Sequence, residues 1–323
     1  MRLLSVIFAL VFALGMVAAQ TQTRKPADDD VIRVTSNLVS VPVSVKDRRG
    51  AYLTDLRRQD FHIFEDGVEQ EISSFETTAQ PFTVILMMDL SDSTRIDLKD
   101  IKRAAIAFLN QLQGQDKAVV IGFDASVTAL TGATGDRAVL STAINSVKSG
   151  GGTSLYDAVH VAMANHRRTG GRQAMVLLTD GIDTSSSTAS FDSTVRQAAE
   201  QYSLIYPIQY KGPDETTPAI FGATMQTMPN GESIHKAYER GTRYLNLLAT
   251  NSGGRFQFVS NLKTLEASFA HIAEELREQY SLGYYPKNKT ATKNGKRKIK
   301  VVVDNAGAVV RARESYSYHP DQP

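Results

Sequence analysis

The stretch FTVILMMDLSDSTRID, residues 82–97, joins an unbroken apolar run to a series of side chains that carry oxygen atoms. An apolar run without polar alternation is typical of a parallel strand that is buried on both faces. Asp89, Ser91 and Ser93 then follow at every second position. The stretch therefore predicts a central strand of an α/β sheet whose carboxyl end presents polar groups.

Strands and helices alternate in the sequence on the C-terminal side of this strand. The further predicted strands are 117–124, 127–130, 173–180, 203–210 and 255–259, and the predicted helices are 96–112, 136–147, 155–167, 191–202, 236–249 and 262–279. Such alternation favours a doubly wound, mostly parallel sheet with helices on both faces. We expect the strand order 3-2-1-4-5-6, in which the first and fourth strands are neighbours at the switch point.

Strand-like segments without helices flank this α/β region on both sides. Residues 31–79 alternate β-branched and polar side chains and contain an Asp66-Gly67 turn, and residues 280–318 resume the same pattern. Either set of strands is marginal alone. We therefore predict one small β-sandwich, formed by both sets, into which the α/β domain of residues 81–278 is inserted.

The N-terminal residues have the composition of an export signal. Residues 1–19 combine one arginine, a short apolar run and a small-residue end at Ala18 and Ala19, which predicts a cleaved signal peptide. An uncleaved anchor is the alternative. Residues 20–30 are polar and are predicted to be a linker, and no later stretch has the ~20 apolar residues of a membrane span. The expected location is secreted or periplasmic, at the cell envelope.

Charge and composition exclude several partner classes. The net charge is +2 over 323 residues, which gives no field of one sign that would indicate nucleic acid. The absence of cysteine excludes disulfides and thiolate metal sites. The basic segment 293–300 is interpreted as protection of an edge strand, with polyanion binding as the alternative.

The predicted topology brings together two carboxylates from distant parts of the sequence. Asp89 ends the first strand of the sheet and Asp180 ends the fourth, so both lie at the crevice where ligands bind in such folds. Gly150 to Gly152 form a flexible loop that presents Thr153. The predicted metal ligands are Asp89, Ser91, Ser93, Thr153 and Asp180. This all-oxygen set favours Mg²⁺, with Mn²⁺ and Ca²⁺ as alternatives, and disfavours zinc and copper.

Four neighbouring side chains have more local interpretations. Ser154 and Asp157 are predicted to form a capping box at the start of the next helix. Asp183 is expected to cap a turn, although it is also a candidate acidic neighbour of the site. Asp92 adds a carboxylate that either turns outward or crowds the site.

Three motifs, DxSxS at 89–93, GGTS at 151–154 and LTDG at 178–181, resemble the metal-ion-dependent adhesion site of the von Willebrand factor type A domain. The resemblance covers residues 81–278 and implies that Ser91, Ser93 and Thr153 contact the metal, with Asp89 and Asp180 bound directly or through water. Where many such sites have glycine between the two serines, this chain has Asp92. The segments at 60–67 and 282–286 also resemble an acidobacterial-type family of secreted proteins related to von Willebrand A domains.

The function expected from these features is protein binding. A cation held largely by neutral hydroxyls keeps an open position, so we expect a protein ligand that supplies an aspartate or glutamate. No enzyme motif such as a nucleophile elbow, a P-loop or GxGxxG follows a strand, and the chain is predicted not to be an enzyme. A metal-dependent hydrolase and a structural module of an envelope assembly remain the alternatives.

Overall fold

The computed structural model describes residues 38–78, 80–92, 98–169, 172–201, 203–210, 227–228, 231–288 and 295–317, with side chains omitted at 165–169 and 262. The predicted signal peptide, the linker, the first part of the N-terminal strand and most of residues 211–231 lie outside these ranges. Among the described residues, no helix has both the length and the apolar character needed to cross a membrane.

Fourteen strands and six α-helices are defined within these ranges. The strands are β1 (Val39–Lys46), β2 (Phe61–Glu65), β3 (Val68–Gln70), β4 (Ile72–Glu76), β5 (Thr83–Asp89), β6 (Lys117–Phe123), β7 (Val127–Ala129), β8 (Gln173–Thr179), β9 (Leu204–Tyr210), β10 (Gln257–Val259), β11 (Tyr280–Tyr284), β12 (Lys296–Val303), β13 (Val309–Ala312) and β14 (Ser315–Ser317). The helices are α1 (Leu98–Asn110), α2 (Arg137–Ser146), α3 (Leu155–Thr169), α4 (Phe191–Glu200), α5 (Ile234–Ser252) and α6 (Leu262–Arg277).

The central sheet has the strand order β10-β9-β8-β5-β6-β7. All neighbours are parallel except β7, which runs antiparallel to β6. Counted from β5 as the first strand, this is the predicted 3-2-1-4-5-6 order. The prediction of a doubly wound, mostly parallel sheet is confirmed.

Strand β5 is continuously apolar because helices cover both faces of the sheet. Val84, Leu86 and Met88 pack in the core that contains α1 and α6. Ile85 and Met87 point to the other face, into the core that contains α3 and α5. Both sets are almost completely buried, so neither face of β5 leaves room for a polar residue between Thr83 and Asp89.

The flanking strands form two four-stranded sheets, and each sheet combines N-terminal and C-terminal strands. Their orders are β13-β1-β11-β4 and β14-β12-β2-β3. The two sheets share one apolar core. Glu65 joins them, because its Oε2 accepts hydrogen bonds from the hydroxyls of Tyr284, at 2.8 Å, and Tyr316, at 2.7 Å. The predicted pairing of N-terminal with C-terminal strands is confirmed.

Two arginines, Arg311 in β13 and Arg313 directly after β13, connect the sandwich to the α/β region. Arg313 donates to the carbonyls of Ala199 and Gln201, at the C-terminal end of α4. Arg311 donates to both carboxylate oxygens of Glu275 on α6, at 3.1 and 3.2 Å. The C-terminal strands therefore contact the helices of the central domain as well as their own sheets.

The interpretation of the basic segment as an edge strand is wrong. Strand β12 lies inside its sheet, with β14 on one side and β2 on the other. Lys296, Lys298 and Lys300 alternate with less exposed residues along it, so the lysines lie on the exposed face of the sheet. The sequence did not reveal that the short strand β14 returns to cover β12.

Candidate functional site

The two predicted carboxylates lie at the carboxyl ends of neighbouring parallel strands. Asp89 is the last residue of β5, and Asp180 directly follows β8. Both side chains are buried, with exposed fractions of 0% and 1%. The crevice predicted from the strand order therefore contains both acids.

Asp89 is held by hydrogen bonds from both sides. Its Oδ1 accepts from the Ser91 amide at 3.0 Å, and its Oδ2 accepts from the Thr179 hydroxyl at 2.6 Å. Thr179 is the last residue of β8 and is itself fully buried. These bonds fix the orientation of the carboxylate before any ligand arrives.

The electrostatics of the pair favour a cation. Burial and the nearby charge of Asp180 raise the pKa of the Asp89 carboxyl above its usual range. Hydrogen bonds from Ser91 and Thr179 oppose this shift only in part. Two buried carboxylates that repel each other are stabilised in their ionised form by a divalent ion between them.

The glycine loop lies against the serine that follows β5. Ser91 and Gly150 form an isolated parallel bridge, and the Gly150 amide donates to the Leu90 carbonyl at 2.8 Å. A Cβ at position 150 would lie 2.1 Å from Oδ2 of Asp124, so any larger residue requires the Asp124 side chain to move. The close approach explains why the loop contains glycine here.

Thr153 joins this loop to the segment after Asp180. Its amide donates to the Thr184 hydroxyl at 2.8 Å, and its carbonyl accepts from the amides of Thr184 and Ser185. Thr153 is buried, with an exposed fraction of 5%. The structure therefore brings the DxSxS, GGTS and LTDG motifs to one end of the sheet.

The predicted capping box at the start of α3 is wrong. The Ser154 hydroxyl donates to the Ala125 carbonyl, and the Asp157 amide donates to the Ser186 hydroxyl. The Asp157 carboxylate accepts from three consecutive amides, those of residues 187–189. Partners that are distant in sequence therefore replace the local cap.

Asp183 has the capping role expected for it. Its Oδ1 accepts from the Ser186 hydroxyl within the turn and from the Tyr156 amide in the first turn of α3. Asp92 is exposed, and Ser93 lies outside the described residues.

Residues that the sequence did not single out also position Asp180. Gln209 on β9 donates from Nε2 to the Asp180 carbonyl at 2.9 Å, and its Oε1 accepts from the Thr242 hydroxyl on α5. Gln209 is fully buried in an otherwise apolar strand, and that isolated polar residue was the available signal. The sequence also did not single out Thr179, which immediately precedes Asp180 and donates to Asp89.

Helix α5 approaches the Asp180 loop closely at a pair of glycines. A Cβ at Gly241 would lie 2.4 Å from the carbonyl oxygen of Gly181. Gly181 itself has a φ of 91°, a conformation that other residues rarely adopt. The contact therefore fixes the distance between α5 and the loop that follows Asp180.

Gly241→Ala should lower the free energy of unfolding by about 1–3 kcal/mol, because the added methyl group forces α5 away from the loop. Urea unfolding followed by circular dichroism measures the change. Gly132→Ala is the matched control, since a Cβ there has open space and should leave stability nearly unchanged. Equal stability of the two variants would contradict the close contact.

The donor atoms of the site fit a hard divalent cation. Asp89, Ser91, Thr153 and Asp180 offer oxygen atoms only. The described part of the chain contains no group of three or more His, Cys, Asp or Glu residues arranged to hold a metal. A cation at this site would thus depend on hydroxyls as well as on the two carboxylates.

Part of the α/β region is similar to a known domain family. The family model of the von Willebrand factor type A domain matches residues 84–183, which is less than half of the chain. A search of curated proteins gives no match.

Among solved structures, the chain resembles a von Willebrand factor type A protein from Catenulispora acidiphila, with 12% identity, coverage of 90% of this chain and 76% of that chain, and a TM-score of 0.48. It also resembles the von Willebrand domain of the type V pilus tip protein Mfa5 from Porphyromonas gingivalis, with 14% identity, coverage of 62% and 95%, and a TM-score of 0.46.

Proximal thread matrix protein 1 from the mussel byssus is a third neighbour, solved with zinc in its metal-ion-dependent adhesion motif. It shares 16% identity, with coverage of 65% of this chain and 49% of that chain and a TM-score of 0.48. Identities and TM-scores at these levels give no information about the function of this chain.

The matched segment begins in β5 and ends just beyond Asp180, so it contains both carboxylates and the glycine loop. Together, the family match over residues 84–183 and the strand order show that the α/β region has a fold like that of the von Willebrand factor type A domain.

Proposed function

We propose that the chain is a secreted or envelope-associated interaction module that captures a protein partner through a divalent cation. The proposed ligands of the cation are Asp89, Ser91, Ser93, Thr153 and Asp180, and the proposed ion is Mg²⁺. We propose no catalytic step for the site. The proposed secreted location rests on the composition of residues 1–19. The proposed membership of the narrower secreted family rests on the segments at 60–67 and 282–286.

One observation carries the proposal: Asp89 and Asp180 are both buried at the carboxyl ends of β5 and β8, close enough for their charges to repel each other. A fold rarely retains such a pair without a compensating role, because buried like charges are costly. Thr179, Ser91 and Gln209 hold the acids in place without neutralising them. This preorganisation supports a site built to receive positive charge.

The residues of the chain would each have a distinct part in binding. Asp89 and Asp180 supply the negative charge, and the hydroxyls of Ser91 and Thr153 supply neutral oxygens. A bound cation would supply an electrophilic position for an outside oxygen ligand. Because neutral hydroxyls and water would complete the shell of the cation, an aspartate or glutamate of a partner protein is the favoured outside ligand to replace a water.

Partner capture in Mg²⁺ and in chelator tests the proposal. Purified chain is immobilised and exposed to an envelope extract of the producing organism, and bound proteins are identified by mass spectrometry. Wild type should retain a partner in Mg²⁺ and lose it in EDTA. Thr153→Ala should reduce the retained amount at least about tenfold, since it removes one oxygen donor while the hydrogen bonds of the Thr153 backbone remain.

Thr128→Ala is the matched control for this experiment. Thr128 is exposed on the edge strand β7, two strands from β5 and three from β8, so its loss should not change capture. Equal capture by wild type in Mg²⁺ and in EDTA would place the partner on another surface, such as the sandwich. Equal capture in Mg²⁺ and in EDTA would therefore refute the metal-dependent mechanism.

A further inference from the structure

Tyr238 is a buried tyrosine whose hydroxyl makes no hydrogen bond among the described residues. The side chain lies on α5 with an exposed fraction of 1%, and its Oη is buried. A buried hydroxyl without a partner has lost its hydrogen bonds to water and gained none from the protein. Such a group needs either an explanation or a ligand.

Three other buried tyrosines among the described residues show the usual arrangement. The Tyr206 hydroxyl donates to Glu275, the Tyr284 hydroxyl donates to Glu65, and the Tyr244 hydroxyl lies 2.9 Å from the Thr194 hydroxyl. Tyr244 is on the same helix as Tyr238 and is completely buried. Tyr238 therefore differs from these three tyrosines, because its hydroxyl has no hydrogen-bond partner among the described residues.

The position of Tyr238 relates it to the two carboxylates. It packs with Ile182 and Ala237, and Ile182 donates its amide to Oδ1 of Asp180. One helical turn further along α5, Gly241 contacts Gly181 closely. Tyr238 is thereby held against the loop that carries Asp180.

The electrostatics agree with this placement. Burial is the main reason why the pKa of Tyr238 is raised, and the charges of Asp180 and Asp89 raise it further. The phenol thus stays protonated and neutral, as a hydrogen-bond donor within the field of both acids. It nevertheless donates to neither of them.

We propose that Tyr238 is a positioning residue of the metal site and that its hydroxyl donates to an oxygen atom of the hydrated cation bound by Asp89 and Asp180. This inference rests on the metal site of the proposed function. A neutral donor suits this position, because it orients a water of the cation without adding charge to the pair. Donors in the second shell of metal sites commonly change affinity by 10–100-fold.

Tyr238→Phe tests the proposal in the full-length chain. Isothermal titration with MgCl₂ alone should show about tenfold weaker binding than wild type. In EDTA, the melting temperature of the variant should equal or exceed that of wild type, because a hydroxyl without a partner has been removed. The combination of weaker Mg²⁺ binding with undiminished stability is not expected of a merely structural residue.

Tyr244→Phe is the matched control on the same helix. It breaks the bond with Thr194, so the melting temperature in EDTA should fall while Mg²⁺ affinity stays at the wild-type value. Wild-type Mg²⁺ affinity in Tyr238→Phe would overturn the role of the hydroxyl and leave the metal site standing. A lower melting temperature of Tyr238→Phe in EDTA would also overturn it, since the hydroxyl would then have a protein partner. Absence of Mg²⁺ binding by wild type would instead refute the metal site itself, and this inference with it.

Discussion

A chain that ends at Gln279 should lose the fold of residues 39–76 while the six-stranded sheet remains folded. Strand β1 lies between β11 and β13, β4 pairs with β11, and β2 pairs with β12. After truncation only the β2–β3 pair remains, and an isolated hairpin is marginally stable at best in water. Hydrogen exchange followed by mass spectrometry should show residues 39–76 exchanging as fast as an unfolded peptide.

The control for this experiment is a chain that ends at Ser317, which keeps all the strands of both flanking sheets. Its residues 39–76 should remain protected. The shortened chain should also melt at a lower temperature in its α/β part, because Arg313 no longer bonds to the end of α4 and Arg311 no longer pairs with Glu275. Slow exchange of residues 39–76 in the shortened chain would show that the N-terminal strands form a core without the C-terminal ones.

Asp180→Asn should stabilise the metal-free protein and abolish its stabilisation by Mg²⁺. The substitution removes one charge from a buried pair that repels, so the chain in EDTA should unfold at a higher urea concentration than wild type. Wild type should gain about 2.7 kcal/mol at a Mg²⁺ concentration a hundredfold above the dissociation constant. The variant should gain almost nothing, because one of the two carboxylates that hold the ion is gone.

Asp192→Asn makes the same chemical change at an exposed position in the first turn of α4 and serves as the control. It should leave the Mg²⁺ effect intact. Repeating the wild-type measurement with Mn²⁺, Ca²⁺ and Zn²⁺ ranks the ions. If EDTA and Mg²⁺ give the same wild-type unfolding curve, the two carboxylates do not form a metal site.

The central sheet could be predicted from sequence because its pattern is local and strongly constrained. The apolar run before Asp89 has no polar interruption, and regular alternation with helices leaves few topologies for a parallel sheet. The strand order followed from those rules and placed Asp89 next to the strand that ends at Thr179. The pairing of the flanking strands followed from a different argument, that neither set can bury its apolar face alone.

Details that depend on contacts between distant residues were not predictable in this way. Asp157 accepts from amides about thirty positions later in the chain, so a motif that suggests a local capping box was misleading. The lysines of β12 resembled edge protection because nothing in their own segment indicates the short strand β14. Gln209 and Tyr238 support the site from β9 and α5, and only the packing of these elements relates them to Asp180.

The bond between Tyr316 and Glu65 has a consequence for how the chain reaches its native state. The two residues are 251 positions apart, and the pairs of β1 with β13 span a similar distance. Contacts with such wide sequence separation form late, since a long loop must close before they contribute. During synthesis the N-terminal strands emerge well before their partners, with open backbone edges that can pair with other molecules. The slow phase of refolding should therefore be the closure of the sandwich around an already folded α/β domain, and aggregation during that interval should increase with protein concentration.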